Sequence, residues 1–208
     1  MSASARALVV YGSAGSGSVA VEAALTLLGA PYEVREGPAP DNPMAQVPSL
    51  ILPSGEVMTE SAAILVWLAD SFPERRLGPA PASPRRPRFL RWMNFVSAAI
   101  YALYWVRDEP SRVVSDPTQE EIVKSRLHER IAACWRIMDG QTTPSPYLTG
   151  ADLSVLDLYV TVVSRWSPGR AAFFAAAPRL AKVVRLVDEA PRLQALWADR
   201  FPLRTAER

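Results

Sequence analysis

Two short polar stretches in the first third of the chain could together hold a small anionic ligand. Gln46-Val47-Pro48 precedes an apolar run, and Glu60-Ser61 stands at the start of a helical pattern. Backbone N–H groups at a helix start favour a carboxylate, which the Ser61 hydroxyl could also bind, while Glu60 could meet a neighbouring ammonium. If the Val47–Pro48 bond is cis, the Val47 N–H and C=O face outward together and can pair with a peptide backbone. The chemistry indicated is recognition of a small peptide-like anion.

Each of these features also has a purely structural interpretation. X-Pro bonds are cis in only about 5–6% of folded cases, so a trans Pro48 that starts a strand is the simpler expectation. Thr59, Glu60 and Ser61 would then do no more than cap a helix and complement its dipole. Taken one at a time, the features favour folding over binding.

A serine- and glycine-rich loop is the second place where chemistry could occur. The stretch GSAGSGS, residues 12–18, lies between a β-rich run and a helical pattern. It lacks the Lys-Ser/Thr ending of a phosphate loop and the glycine spacing of a dinucleotide fingerprint. Two interpretations stay open: a flexible turn that caps the helix, and a hydroxyl beside a helix N-terminus that stabilises an anion.

The composition narrows the classes of function. The 208 residues are 49% hydrophobic and 21% charged, as in ordinary globular proteins, and a net charge of +2 argues against nucleic acid as the main partner. We see no signal-peptide pattern and no apolar run near the roughly 18 residues that span a bilayer, so we expect a cytoplasmic protein without a membrane partner. The single cysteine, Cys134, and the single histidine, His128, which we expect on a helix surface, leave no Ser-His-Asp set and no metal site.

Periodicity and turn residues predict an α/β half in the order βαβ-ββα. Period-two runs predict strands, and apolar residues three and four apart predict helices. The predicted elements are, in chain order, strand Arg6–Tyr11, helix Val19–Leu28, strand Tyr32–Glu36, strand Ser49–Leu52, strand Glu56–Met58 and helix Thr59–Ala69. The short Pro53-Ser54-Gly55 turn favours an antiparallel hairpin.

Beyond a proline- and arginine-rich stretch, residues 73–87, the pattern is helical throughout. We therefore predict one domain over residues 1–75, a linker over 76–87 and an all-helical domain over 88–208. The predicted helices span 88–107, 117 to about 140, 154–166, 171–177, 178–189 and 191–199. The third begins with a Ser154-x-x-Asp157 capping box. The tryptophans expected in the core of this half are Trp92, Trp105, Trp135, Trp166 and Trp197.

Taken together, these motifs resemble the glutathione transferase superfamily. The matching segments are Asn42-Pro43, Gln46-Val47-Pro48-Ser49-Leu50, Glu60-Ser61-x-Ala63-Ile64, Trp67-Leu68, Tyr147-Leu148-x-Gly150 and Ser154-x-x-Asp157. The resemblance implies a thioredoxin-like N-terminal domain followed by an all-helical C-terminal domain. It also implies a cis Pro48, with the Val47 backbone paired to the cysteinyl part of glutathione. Glu60 and Ser61 would hold the γ-glutamyl group, and Gln46 would lie near the glycyl end.

The reaction that the resemblance implies is attack by the glutathione thiolate on a hydrophobic electrophile. Family members activate the thiol with Tyr, Ser or Cys near the start of the first helix. Aligning that helix puts Gly17 at the cysteine position and Ser16 near the serine position. We rank Ser16 as the first candidate for the catalytic hydroxyl, then Ser13, then Ser18, which we also expect to cap the helix.

The electrophile pocket is expected between the two domains. The candidates Tyr101, Tyr104, Trp105 and Arg107 lie off the apolar stripe of the first long helix, and an aromatic pocket suits a hydrophobic electrophile. Packing or subunit contact is an equally good explanation for them.

Three functional hypotheses stay open. The first is a homodimeric glutathione transferase. The second is a non-catalytic binding or interaction protein of the same fold, because fold does not fix activity. A glutathione-dependent reductase or isomerase is a weaker third. The first helix carries Ala20 and Glu22 where serine-type members have an arginine pair, which keeps the subclass open.

Overall fold

The first half of the chain folds as a four-stranded sheet with two helices. The computed structural model describes residues 7–201, so the predicted strand start at Arg6 lies outside the described residues. The elements are β1 (Leu8–Gly12), α1 (Ser18–Leu28), β2 (Tyr32–Glu36), β3 (Ser49–Ile51), β4 (Val57–Met58) and α2 (Ser61–Ser71). The strand order is β2-β1-β3-β4, with β1 parallel to β2 and the other pairs antiparallel. This confirms the predicted thioredoxin-like βαβ-ββα order.

One helix starts later than its pattern predicts. We expected α2 to begin at Thr59, but its first helical residue is Ser61. The cause is Glu60, whose φ of 64° lies outside the right-handed helical region and ends the extended segment abruptly. On its buried face, α2 presents Ile64, Leu65 and Leu68 to α1, as the spacing predicted.

The second half is helical, which confirms the predicted fold class. Its elements are α3 (Arg86–Phe95), a π-helical segment (Val96–Tyr101), α4 (Ala102–Asp108), α5 (Glu120–Gln141), α6 (Val155–Val163), α7 (Arg170–Ala176), α8 (Pro178–Asp188) and α9 (Gln194–Arg200). Pro117–Gln119 forms a 3-10 turn before α5. Helix α5 continues through Gly140, where we expected a break, and ends because Thr142 is extended.

Helix α6 is the centre of the molecule. All of its residues are buried, and it contacts helices of both halves: α1, α2, α3 and α8. The predicted capping box is present: the Asp157 carboxylate accepts the N–H and the O–H of Ser154 at 2.8 and 2.6 Å, and the Leu148 N–H at 2.9 Å. Burial raises the pKa of Asp157 to about 6, although these hydrogen bonds oppose the shift.

Among the side chains of the helical half, Trp105 and His128 are not where the sequence predicted them. Trp105 is 47% exposed, because it lies at the rim of a cleft and not in the core. His128 is half-buried, and its Nε2 atom is buried without a hydrogen-bond partner among the described residues. Burial lowers the pKa of His128, followed by the effect of the nearby Arg107 charge. No helix within residues 7–201 is both long and apolar enough to cross a membrane.

The helical half fixes the glycine-rich loop that follows β1. The Gly15 N–H donates to the Arg200 carbonyl at 2.9 Å, and the Gly15 carbonyl accepts the indole N–H of Trp166 at 2.7 Å. The Arg200 side chain also pairs with the buried Glu22 of α1 at 2.7 Å. Burial alone would lower the pKa of Arg200, but the hydrogen bond and charge of Glu22 outweigh it and raise that pKa. The loop conformation therefore depends on contacts with the second half of the chain.

We expect Trp166→Phe to loosen this loop. The substitution removes the indole N–H whose hydrogen bond the Gly15 carbonyl accepts. Losing this hydrogen bond should raise the equilibrium population of the locally opened loop roughly tenfold. Hydrogen–deuterium exchange should therefore show the amides of residues 13–17 exchanging about tenfold faster. The matched control is Trp105→Phe, because Trp105 is exposed and lies on the opposite wall. Unchanged loop exchange in Trp166→Phe would contradict this role.

Candidate functional site

A cleft of about 950 Å³ opens between the two halves. One wall consists of the loop after β1 and the loop before β3, and the other consists of the π-helical segment and α4. The predicted site residues that line it are Ser13, Ser16, Gln46, Val47, Glu60, Tyr101, Tyr104, Trp105 and Arg107. An adjoining cavity of about 50 Å³ is lined by Pro48 and Ser61 and shares Val47, Glu60 and Tyr101 with the cleft. The structure thus brings together all but one of the residues selected from the sequence.

The wall before β3 is held by a buried asparagine. The Val47–Pro48 bond is cis, as the resemblance implied. Asn42, which is 7% exposed, donates from Nδ2 to the Gln46 carbonyl at 2.8 Å and to Ser49 Oγ at 3.2 Å. Its Oδ1 accepts the Met44 N–H at 3.1 Å. Asn42 therefore fixes the loop that carries Gln46 and Val47, a role that its place in the motif did not reveal.

The mouth of α2 combines an unusual backbone with a buried hydroxyl. Glu60 is exposed and precedes the helix with its positive φ, a conformation that costs a non-glycine residue about 1–3 kcal/mol. Ser61 is buried, and its Oγ lies 2.9 Å from the Tyr159 hydroxyl on α6. A serine hydroxyl has one donor and two acceptor positions, so this contact leaves Ser61 capacity for a second partner. Burial raises the pKa of Tyr159 to about 12, so its hydroxyl stays protonated at neutral pH.

The serine-rich loop does not present all of its hydroxyls to the cleft. Ser18 is fully buried, accepts the Ser13 N–H at 3.2 Å and donates to Glu22 Oε1 at 3.1 Å. The expectation that Ser18 caps α1 is also wrong: Ser18 is already helical, and its N–H is accepted by Ser16 Oγ at 3.2 Å. Ser18 therefore supports the loop from within. Ser13 and Ser16 line the cleft, as a role at the thiol would require.

Gly17 lies directly against a tyrosine from the helical half. A Cβ built on Gly17 would lie 2.4 Å from the Tyr101 hydroxyl oxygen and 2.8 Å from Tyr101 Cε2. The Tyr101 ring packs edge-to-face on Trp166, with ring centroids 4.8 Å apart. Burial raises the pKa of the Tyr101 phenol, and the nearby Tyr159 and Glu60 add to the shift. A side chain at position 17 and Tyr101 in its present position exclude each other.

The opposite end of the cleft is aromatic and cationic. Tyr104 is buried and packs edge-to-face on Trp166 with centroids 5.0 Å apart, and burial raises its pKa to about 12. The Arg107 guanidinium lies 5.1 Å from the Tyr104 ring centroid, and that of Arg112 lies 4.8 Å from the exposed Trp105 ring. This end of the cleft is therefore aromatic, with two arginines at its edge that are ion-paired to Asp108 and Glu109.

Several lining residues were not selected from the sequence. Those with larger or polar side chains include Met44, Ser97, Asp108, Arg112 and Trp166. We assigned Trp166 to the core because periodicity cannot show that a partly buried indole reaches a loop 151 residues away. Ser97 is brought to the cleft by the π-helical segment, which shifts the helical register that the pattern assumed. Within residues 7–201, no group of three His, Cys, Asp or Glu side chains is placed to hold a metal ion.

Comparisons with known proteins agree with this architecture. The family model "Glutathione S-transferase, N-terminal domain" matches residues 18–71. An uncharacterized GST-like protein of Escherichia coli K12, YncG, is 30% identical over 197 residues, covering 89% of this chain and 94% of that protein. The glutathione S-transferase GstA of Escherichia coli O157:H7 is 25% identical over 156 residues, covering 74% of this chain and 73% of GstA.

Solved structures share the two-part fold of this chain. A glutathione transferase homologue from Sulfitobacter with bound glutathione superposes with a TM-score of 0.83 at 25% identity, covering 95% of this chain and 99% of that one. The likeness thus extends over both halves of the molecule and the cleft between them. On the strength of the family model and of a 30% identical relative matched along nearly its whole length, this chain belongs to the glutathione S-transferase superfamily.

Proposed function

We propose that the protein is a glutathione transferase that conjugates the glutathione thiolate to a hydrophobic electrophile. A sulfur–carbon bond forms at the electrophile, and the bond to its leaving group breaks with the electron pair on that group. The thiol proton passes to solvent. The glutathione-binding domain is residues 1–75, joined by the 76–87 linker to the helical domain, residues 88–208.

The observation that carries this proposal is the joining of a polar wall and an aromatic wall in one cleft of about 950 Å³. That volume lies at the upper end of the range for small-molecule sites and leaves room for a tripeptide and a second reactant. We assign the Val47 backbone to the cysteinyl part of glutathione, Glu60 and Ser61 to its γ-glutamyl end, and Gln46 to its glycyl end. The bound glutathione of the Sulfitobacter homologue supports a ligand of this class.

The electrophile is assigned to the aromatic end of the cleft. Trp105 offers an exposed ring, the buried Tyr104 contributes to the lining, and Arg107, ion-paired to Asp108, lies over the Tyr104 ring. Such a surface favours flat, electron-poor molecules whose transition state develops negative charge. Binding the two reactants side by side supplies the proximity on which this reaction depends, because the enzyme need only lower the thiol pKa and orient the partner.

A second candidate is a non-catalytic binding protein of the same fold. The observation that favours it is the loop itself: Gly17 has no side chain, and Ser16 Oγ is already engaged by the Ser18 N–H and lies 2.9 Å from Ser18 Oγ. Such a protein would bind glutathione without lowering the pKa of its thiol. The two candidates therefore differ in turnover and agree in binding.

We expect the protein to be retained on immobilised glutathione and to conjugate a chloro-dinitrobenzene. Retention follows from the polar wall, and conjugation follows from the aromatic wall together with a lowered thiol pKa. Elution by free glutathione is the control for specific binding. Binding without turnover would favour the non-catalytic candidate, and the absence of binding would contradict both.

We expect Ser61→Ala to weaken glutathione binding about three- to tenfold, because it removes one hydroxyl from the mouth of α2. Isothermal titration calorimetry measures this directly. The matched control is Ser54→Ala, since Ser54 is exposed in the hairpin turn between β3 and β4. An unchanged dissociation constant in Ser61→Ala, with Ser54→Ala also unchanged, would show that the γ-glutamyl group does not bind there.

We also propose that the protein is a cytoplasmic homodimer. The family relation supports dimerisation, and the ordinary globular composition supports the location. Sedimentation velocity should show a species of twice the 22.8 kDa chain mass at micromolar concentration. A monomer under those conditions would contradict the assignment.

A further inference from the structure

The space that a side chain at position 17 would occupy is already filled by a phenol. The Tyr101 hydroxyl oxygen lies 2.4 Å from a Cβ built on Gly17, closer than real Cβ contacts come. Position 17 is the one at which cysteine-type relatives carry their thiol-activating side chain, as the alignment of the first helix indicates. Tyr101 thus brings a hydroxyl from the helical half to the point where the N-terminal half lacks one.

Two of the three loop hydroxyls, those of Ser16 and Ser18, are already engaged within the loop. Ser18 is fully buried, and Ser16 Oγ accepts the Ser18 N–H. By contrast, burial and nearby charges raise the pKa of the Tyr101 phenol, and no side chain within residues 7–201 shifts that pKa through a hydrogen bond. Tyr101 lines the cleft together with Val47 and Glu60. Ser13 also lines the cleft. Of the hydroxyls of Ser16, Ser18 and Tyr101, only that of Tyr101 lies against Gly17 and has no hydrogen bond to a loop residue.

The backbone around Tyr101 points to the same role. Tyr101 is the last residue of the π-helical segment, residues 96–101, within an otherwise α-helical stretch. A π segment widens one turn and changes which side chains face a given side, and such segments are frequent at functional sites. Here it directs Ser97 and Tyr101 to the cleft. Edge-to-face contact with Trp166, which is itself bonded to Gly15, holds the phenol ring against the loop.

We propose that Tyr101 is the catalytic residue that stabilises the glutathione thiolate, donating a hydrogen bond to the sulfur in place of a side chain at position 17. This inference rests on the proposed function and adds to it the group that lowers the thiol pKa. No covalent change occurs at Tyr101: the phenol keeps its proton and donates a hydrogen bond to the negatively charged sulfur. A hydrogen bond to an ion is stronger than one between neutral groups, so the thiolate gains more than the thiol.

The protonation state of Tyr101 suits a donor. Burial and the nearby acidic groups keep the phenol neutral across the range in which a thiol titrates. The group therefore acts as a fixed donor and not as a base. The thiol proton is lost to solvent. The negative charge that remains on the sulfur is stabilised by the phenol O–H and by the N-terminus of α1.

The test is Tyr101→Phe, which removes one oxygen and keeps the ring that packs on Trp166. The bound thiol is titrated by its thiolate absorbance in the glutathione complex, which needs no electrophile. We expect the thiol pKa to rise by about one to two units and kcat/KM with chloro-dinitrobenzene at neutral pH to fall roughly 10- to 100-fold. The glutathione dissociation constant should change less than about threefold. Tyr32→Phe is the matched control, because the Tyr32 hydroxyl bonds Thr26 outside the cleft.

Position 17 supplies an independent variant. Gly17→Ala should displace the phenol and raise the thiol pKa as Tyr101→Phe does, because the added Cβ would collide with the Tyr101 hydroxyl. Gly17→Ser combined with Tyr101→Ala removes that collision and returns a hydroxyl from the loop side. We expect the pair to recover a lower thiol pKa than Tyr101→Ala alone.

The outcomes separate this inference from the function on which it rests. If the wild-type protein does not bind glutathione, both fail. If it binds, and Tyr101→Phe leaves the thiol pKa and kcat/KM unchanged, only the inference about Tyr101 is overturned. The same holds if Ser16→Ala raises the thiol pKa while Tyr101→Phe does not.

Discussion

The site depends on the hold that the helical half has on the loop after β1. The Gly15 N–H donates a hydrogen bond to the Arg200 carbonyl, and the Gly15 carbonyl accepts one from Trp166, so both backbone polar groups of this residue are satisfied by the second half of the chain. Glu22, 1% exposed, pairs with Arg200 beneath the loop and accepts the Ser18 hydroxyl. Removing one partner of such a pair would leave a buried unpaired charge, at a cost of about 3–5 kcal/mol. The loop therefore has its observed shape only when both halves are folded and docked.

The two halves contribute different kinds of groups to the cleft. The N-terminal half supplies backbone groups. These are the N–H and C=O of Val47, next to the cis Pro48 in a loop that Asn42 holds, and the N-terminus of α2, which follows the positive-φ residue Glu60. The helical half supplies side chains, namely the phenol of Tyr101 and the aromatic surface of Tyr104 and Trp105. Backbone recognition suits a constant peptide ligand, whereas side chains are easily varied to suit different second reactants.

Much of this architecture follows from local sequence rules. Period-two runs and turn residues located the strands within one or two residues, and the Ser154–Asp157 box located the start of α6, because these signals act over a few neighbouring residues. The grouping of Gln46, Val47, Glu60 and Ser61 at the cleft and its adjoining cavity was also predictable, because their spacing matches the family motif.

Other features could not be predicted, because they arise from contacts between distant residues or from backbone geometry. The burial of Ser18 depends on Glu22 and Arg200, the exposure of Trp105 depends on the open cleft, and the late start of α2 depends on the φ of Glu60. The contact of Gly17 with Tyr101 joins residues on opposite walls, and the π-helical segment that enables it has no simple residue pattern. The sequence places glycine at position 17 but cannot show that the Tyr101 phenol from the other half fills the space beside it.

The most direct measurement is a crystal structure of the protein with glutathione. We expect the sulfur to lie within hydrogen-bond distance of the Tyr101 hydroxyl and to face Gly17. We also expect the cysteinyl N–H and C=O to pair with the Val47 backbone and the γ-glutamyl carboxylate to lie at the N-terminus of α2. A sulfur hydrogen-bonded to the hydroxyl of Ser13 or Ser16, with Tyr101 turned away from Gly17, would contradict the proposed role of Tyr101.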